Sequence, residues 1–132
     1  MKSTDFKDLV VWQKAMEIAR DIYVLVRELP KEETYGLSDQ MRRCAVSIPS
    51  NIAEGQQRNS AKEFQHFINI AQGSRGELET QLLLAKDIGY LSESAIEPTY
   101  YKLDEINKML YALSKSITNA ANAKCSYTTT EN

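Results

Sequence analysis

Apolar residues recur along this chain at alternating steps of three and four, in four stretches parted by short polar or turn-forming segments. That spacing predicts amphipathic helices. In the first stretch Trp12, Ala15, Ala19, Ile22, Val26 and Leu29 fall on one stripe, widened by Ile18 and Leu25. The pattern predicts a helix from about Asp8, a suitable N-cap, to Glu28, ended by Pro30 because the residue before a proline avoids the α region. Lys31 to Gly36 reads as a connection. A second helix begins at Ser38 or a neighbour, with Leu37, Met41, Cys44 or Ala45, Ile48 and Ile52 facing inward. Pro49 should interrupt and kink it, since it cannot donate to the carbonyl of Ala45. Gly55 reads as a C-terminal cap or a point of fraying.

Ser60-Ala61-Lys62-Glu63 has the spacing of a capping box and opens a third helix that runs to about Ile88 and is stopped by Gly89. Its apolar residues, including Phe64, Phe67, Ile70, Leu78, Leu82, Leu83, Leu84 and Ile88, cover more than one face. A helix of this kind is buried on two sides, and a neighbouring subunit is the simplest second cover. Ser92 or Ser94 opens the fourth helix, whose inner stripe is Ile96, Tyr100, Leu103, Ile106, Leu110, Leu113 and Ile117; Pro98 leaves its start unsettled. After Asn119 the periodicity is lost. The expected organisation is therefore an all-α, antiparallel up-down-up-down four-helix bundle over residues 1–119, followed by a disordered polar tail over 120–132.

Composition changes this picture little. The chain has 132 residues, 42% hydrophobic and 26% charged, with only five Gly and three Pro, as suits one helical domain. The net charge of −2 predicts no overall attraction to nucleic acid or anionic membranes. Residues 36–75 are nevertheless mildly basic, with five basic and three acidic side chains, while 76–132 carry five basic and eight acidic ones. No signal peptide or membrane span is visible. Cys44 and Cys125 make no disulfide framework, so reduced thiols and a cytoplasmic location are expected.

Candidate chemistry is sparse. Glu63-Phe64-Gln65-His66 has the Glu-x-x-His spacing of di-iron bundles, but such sites need the motif twice and His66 is the only histidine. Glu63 is already explained by the capping box. Cys44 reads as core, and a serine nucleophile would lack an oriented base. Gly73-Ser74-Arg75-Gly76 lies inside a helical pattern, where its small residues suit close packing of helix backbones rather than a nucleotide clamp. No phosphate-binding or dinucleotide motif is present, so no enzyme activity, metal, cofactor or small-molecule substrate is expected.

One segment is unlike a plain core helix. Arg43, Ser47, Asn51, Glu54 and Arg58 form a polar stripe on the second helix, around Ser47-Ile48-Pro49-Ser50-Asn51. Two readings stay open. In one, Ser47, Ser50 or Asn51 satisfies backbone groups released by Pro49, with Glu54 pairing Arg58 across one turn. Alternatively the stripe, with Arg42, Lys62 and Arg75, is a nucleic-acid or partner surface.

Phe6-Lys7-Asp8-Leu9-Val10-Val11-Trp12-Gln13-Lys14-Ala15, Tyr35-Gly36-Leu37, the block from Gln40 to Gly55 containing Ser47-Ile48-Pro49-Ser50-Asn51-Ile52-Ala53-Glu54-Gly55, and Ala71 to Thr80 together resemble a bacterial four-helix bundle family. It includes proteins encoded in intervening sequences of 23S ribosomal RNA genes and the accessory variability proteins of diversity-generating retroelements. The resemblance covers about residues 6–117. It implies an up-down-up-down bundle that assembles into a homo-oligomeric ring, commonly a pentamer. The retroelement relatives bind nucleic acid and a reverse transcriptase through a strongly basic surface. This chain lacks that surplus of positive charge. The resemblance thus implies a homo-oligomer that acts either as an RNA- or DNA-binding accessory protein or as a protein-interaction scaffold without nucleic acid. The first uses Arg42, Arg43, Arg58, Lys62 and Arg75 on phosphates; the second uses the stripe for assembly.

Overall fold

The computed structural model describes the backbone of residues 5–131 and the side chains of 5–123. It contains four α-helices: α1 (Val10–Leu25), α2 (Leu37–Gln56), α3 (Ala61–Asp87) and α4 (Glu93–Glu131). Single 3-10 turns occur at Phe6–Asp8, Val26–Glu28 and Lys31–Glu33. Each helix packs against its sequence neighbours and α4 closes on α1, with no diagonal pair, so the four stand at the corners of a square, all-α bundle. Ile18 and Ile22 of α1, Ile48 and Ile52 of α2, Leu78 and Leu82 of α3, and Leu103 and Ile106 of α4 are fully buried at its centre.

The chain starts with a tighter turn than the periodicity predicts. Asp5, not Asp8, is the first cap: its carboxylate accepts from the Lys7 amide at 2.9 Å. Leu9 is extended, and α1 proper begins at Val10 without a side-chain cap. Phe6 packs edge-on against Trp12 with ring centroids 5.2 Å apart, which folds the turn back onto α1. At the other end the predicted last turn of the helix winds into 3-10 geometry before Leu29 and Pro30.

The Lys31–Gly36 connection holds a junction that periodicity does not reveal. Glu33 accepts from the Leu37 amide at 3.0 Å, capping α2, and also from the Tyr90 hydroxyl at 2.9 Å. One carboxylate therefore ties the α1–α2 loop to the α3–α4 loop at the same end of the bundle. The Leu37 amide first, and then Tyr90, hold the Glu33 carboxyl below its usual 4.5. A depressed carboxyl contributes stability that is present above 4.5 and is lost as pH falls through the lowered folded value. Acid unfolding followed by circular dichroism is expected to be steeper below pH 4.5 in the wild type than in Glu33→Gln, whose amide oxygen still accepts but does not titrate. Equal pH profiles would remove Glu33 from the account.

Helix α2 is unbroken across Pro49. The proline is itself buried on the side of α2 that faces α1, and burial of its ring offsets the single lost hydrogen bond. Gly55 is not a cap. It lies buried within α2, where an added Cβ would come within 2.9 Å of Phe64 Cδ1 and of Phe67 Cβ, and 3.2 Å of the Phe64 carbonyl. Glycine is there because α2 and α3 approach closely just before the chain turns.

Ser60 caps α3 as its sequence predicts: the Glu63 amide donates to Ser60 Oγ at 3.1 Å, and the Ser60 hydroxyl donates back to the Glu63 carboxylate at 3.1 Å. Gly73 and Gly76, expected at a close helix contact, are not at one. Nothing lies within 4 Å of a Cβ built at either position. Helix α3 ends in a Schellman motif, with Tyr90 N–H on the Ala85 carbonyl at 2.9 Å, Gly89 N–H on that of Lys86 at 3.0 Å, and Gly89 at φ 87°.

Ser92 caps α4 by accepting from the Ala95 amide at 3.1 Å. Pro98 sits in the early turns, exposed. Lys102 binds both Glu17 at 2.8 Å and Asp21 at 2.7 Å, fastening α4 to α1. These hydrogen bonds, Asp21 first, hold the ammonium above its ordinary pKa. Helix α4 continues past Asn119, where its apolar period ends, to Glu131. The last buried core residue is Ile117. Beyond it Ala120, Ala121 and Ala123 extend an established helix at little cost, because propagation needs no new nucleus.

Candidate functional site

The polar stripe of α2 divides in two. Ser47 and Asn51 face α3, where Asn51 Nδ2 donates to the Ser47 carbonyl at 2.8 Å and to Ser47 Oγ at 2.9 Å. Since Ser47 Oγ accepts from Asn51, its own proton is free for Ser74 Oγ, 2.7 Å away across the seam. These groups do not serve the carbonyl of Ala45 that Pro49 leaves without a donor. They form a polar bridge between α2 and α3. Ser50 points the other way, to the α1 side, and is exposed. Ser74 was hidden in the sequence because its small-residue context suggested backbone packing rather than a hydrogen-bond partner.

The same seam holds Cys44 and Gln81. Gln81 Nε2 donates to Cys44 Sγ at 3.5 Å, while Gln81 Oε1 is buried and has no partner. Burial pushes the Cys44 thiol up, partly opposed by that hydrogen bond. A protonated thiol whose neighbour is an amide is not an activated nucleophile. Cys125 lies outside the described side chains.

The basic residues are mostly paired within the chain. Arg43 bonds Asp39 at 2.9 Å, and Arg42 lies 3.9 Å from the same residue while donating to the Thr34 carbonyl at 3.2 Å. Arg58 bonds Glu54 at 2.7 Å, approaches Glu63 at 3.8 Å, and stacks 4.8 Å from the Phe67 ring centroid. Arg75, its side chain only 17% exposed, bonds Glu79 at 3.1 Å and Gln72 at 2.7 Å. Gln72 continues to Asn107 of α4 at 3.1 Å. Lys62 is exposed and has no ion pair.

Nor do these residues share one place. Arg42–Arg43 and Arg58 are separated by most of α2, roughly 22 Å at 1.5 Å per residue. Arg42 and Arg43 share Asp39, while Arg58 and Lys62 line a separate depression with Glu63, His66 and Phe67. His66 packs edge-on against Phe67, ring centroids 5.3 Å apart. Among the described residues no three His, Cys, Asp or Glu side chains converge as a metal site. No described helix is long and apolar enough to cross a membrane.

What stands out on this surface is apolar. Ile70, Leu83, Leu84 and Ile88 of α3 are exposed, Leu84 by 48% and Ile88 by 50%. Tyr101 of α4 is 67% exposed. On the opposite side Tyr23 and Val24 of α1 and Val46 of α2 are exposed around an open groove of about 680 Å³.

These features define a small four-helix bundle with exposed apolar surfaces, in which most of the polar residues of the α2 stripe are paired within the chain. Residues 7–112 match the family model described as 23S rRNA-intervening sequence protein, and the chain belongs to that family. It is also similar to a solved structure from Bacteroides thetaiotaomicron, described as a protein with unknown function from the S23 ribosomal protein family, at 33% identity and a TM-score of 0.75. That likeness covers 80% of this chain and 99% of the other. No curated protein matches the chain.

Proposed function

We propose that this protein is a non-enzymatic, self-assembling scaffold, a ring of identical bundles of the five-membered kind its family resemblance implies. The outward apolar residues of α3 carry this reading. Leu83, Leu84, Ile88 and Ile70 remain exposed although the four described helices already close a core. Leu84 and Ile88, one turn apart and each about half exposed, give the kind of exposed apolar surface that marks an association site. The fates of the basic residues support the same reading. Arg42, Arg43, Arg58 and Arg75 each lie beside an in-chain carboxylate, which lowers their yield of phosphate neutralisation.

A second reading, an RNA- or DNA-binding accessory protein, is favoured by one observation: Arg58, Lys62 and His66 gather beside an aromatic ring at one end of the bundle. Repetition around a ring would multiply that small patch. Light scattering on a size-exclusion column, then filter binding to ribosomal RNA at two salt concentrations, separates the readings. The scaffold gives a multiple of the single-chain mass and no saturable RNA binding. Binding that weakens steeply with salt, with a smaller slope in Arg58→Ala/Lys62→Ala, would transfer the function to the second reading. A single-chain mass at micromolar concentration would end the first.

A further inference from the structure

The bundle carries two unlike apolar faces on opposite sides. The first is the groove between α1 and α2, floored by Trp12, Met16, Pro49 and Ala53 and flanked by Arg20 and Arg27. No carboxylate lines it, and neither arginine has an ion pair in the chain. The second lies between α3 and α4, where Leu83, Ile96, Tyr100 and Tyr101 line a depression of about 240 Å³ with Glu93, Glu97 and Lys86. Neither glutamate has an ion pair. Several charges elsewhere are neutralised within the chain, through Asp39, Glu54, Glu79, Glu17 and Asp21. The two arginines at one apolar face and the two glutamates at the other form no ion pair, Arg20 acting only at longer range on Glu17.

We propose that the α1–α2 groove is the docking site for the α3–α4 face of a second copy of this chain, with Arg20 and Arg27 meeting Glu93 and Glu97. This deepens the self-assembly reading and rests on it. Charge complementarity selects the occupant: two copies of the basic groove, or two of the acidic face, would bring like charges together. Because α1–α2 and α3–α4 are opposite sides of the square, the contact is head-to-tail. Each copy then offers one face and fills another, and the chain of contacts closes into a ring when the rotation per copy allows. The open space around Gly73 and Gly76 leaves the outer surface of α3 free for close approach by the neighbour's backbone.

The test uses the whole chain and its mass by light scattering, with circular dichroism confirming that each variant is helical. Arg20→Glu/Arg27→Glu and Glu93→Lys/Glu97→Lys are each expected to fall to the single-chain mass where the wild type is assembled. Mixing the two variants is expected to restore a complex, since one sound face of each meets its intact complement and the two reversed faces also match. The chain carrying all four substitutions is expected to assemble alone. An assembled wild type with either variant unchanged in mass overturns the pairing and leaves self-assembly standing. Loss of assembly in both without recovery on mixing also overturns it. A single-chain wild type removes both the pairing and the reading beneath it.

Discussion

Gly55→Ala is expected to destabilise the bundle by about 1 kcal/mol net, because forcing a methyl group into a packed seam costs about 1–3 kcal/mol. The new Cβ would lie 2.9 Å from Phe67 Cβ, an atom next to the α3 backbone that has no side-chain freedom with which to retreat. The Phe64 ring, also 2.9 Å away, and the Phe64 carbonyl, at 3.2 Å, close the other routes. Alanine gains about 1 kcal/mol over glycine in a helix interior, so the net loss is smaller than the steric cost. Urea unfolding of the two proteins under one buffer measures the difference. If Gly55→Ala proves as stable as the parent, the close approach of α2 and α3 at this point is wrong.

The opposite sign is expected at the two glycines of α3. Gly73→Ala and Gly76→Ala each fill open space, so each should stabilise the isolated chain by about 1 kcal/mol through helix propensity alone. The pair together should gain about 2 kcal/mol when unfolding is followed at a dilution where any assembly has come apart. In the docking proposed above the same methyl groups would face the neighbouring copy, and the tendency to associate is expected to drop. Greater chain stability with weaker association separates this account from one in which the glycines serve only folding. Unchanged association would leave them without a role between copies.

The glycines divide what is legible in the sequence from what is not. Gly89 could be assigned from its position just beyond an apolar period, since a helix stop is a local event set by a left-handed residue. Gly55, read as a cap, is the crowded one, and Gly73, read as a close contact, is the open one, because what distinguishes them is the distance to another helix. The capping box at Ser60 and Glu63 was legible for the same local reason as Gly89. The Glu33 junction was not, because its second donor, Tyr90, lies far along the chain.

The candidate site followed this division. Spacing put Arg43, Ser47, Asn51, Glu54 and Arg58 on one side of α2, and the turn-to-turn pair of Glu54 with Arg58 followed from that spacing. It did not show that Ser47 and Asn51 would be used against Ser74, or that Arg75 would be drawn into bonds with Gln72 and Glu79. Arg20, Arg27, Glu93 and Glu97 are exposed charges in a helical pattern, and spacing alone does not single them out.

By itself the sequence determined the number of helices, their inner stripes, most of their ends and the family, because periodicity and capping act within a few residues. Tertiary structure alone decided which polar groups are spent inside the bundle, which glycines are crowded, and which charges are left over on which side. Those properties depend on distances between helices that the chain connects only through loops, and no local spacing encodes them.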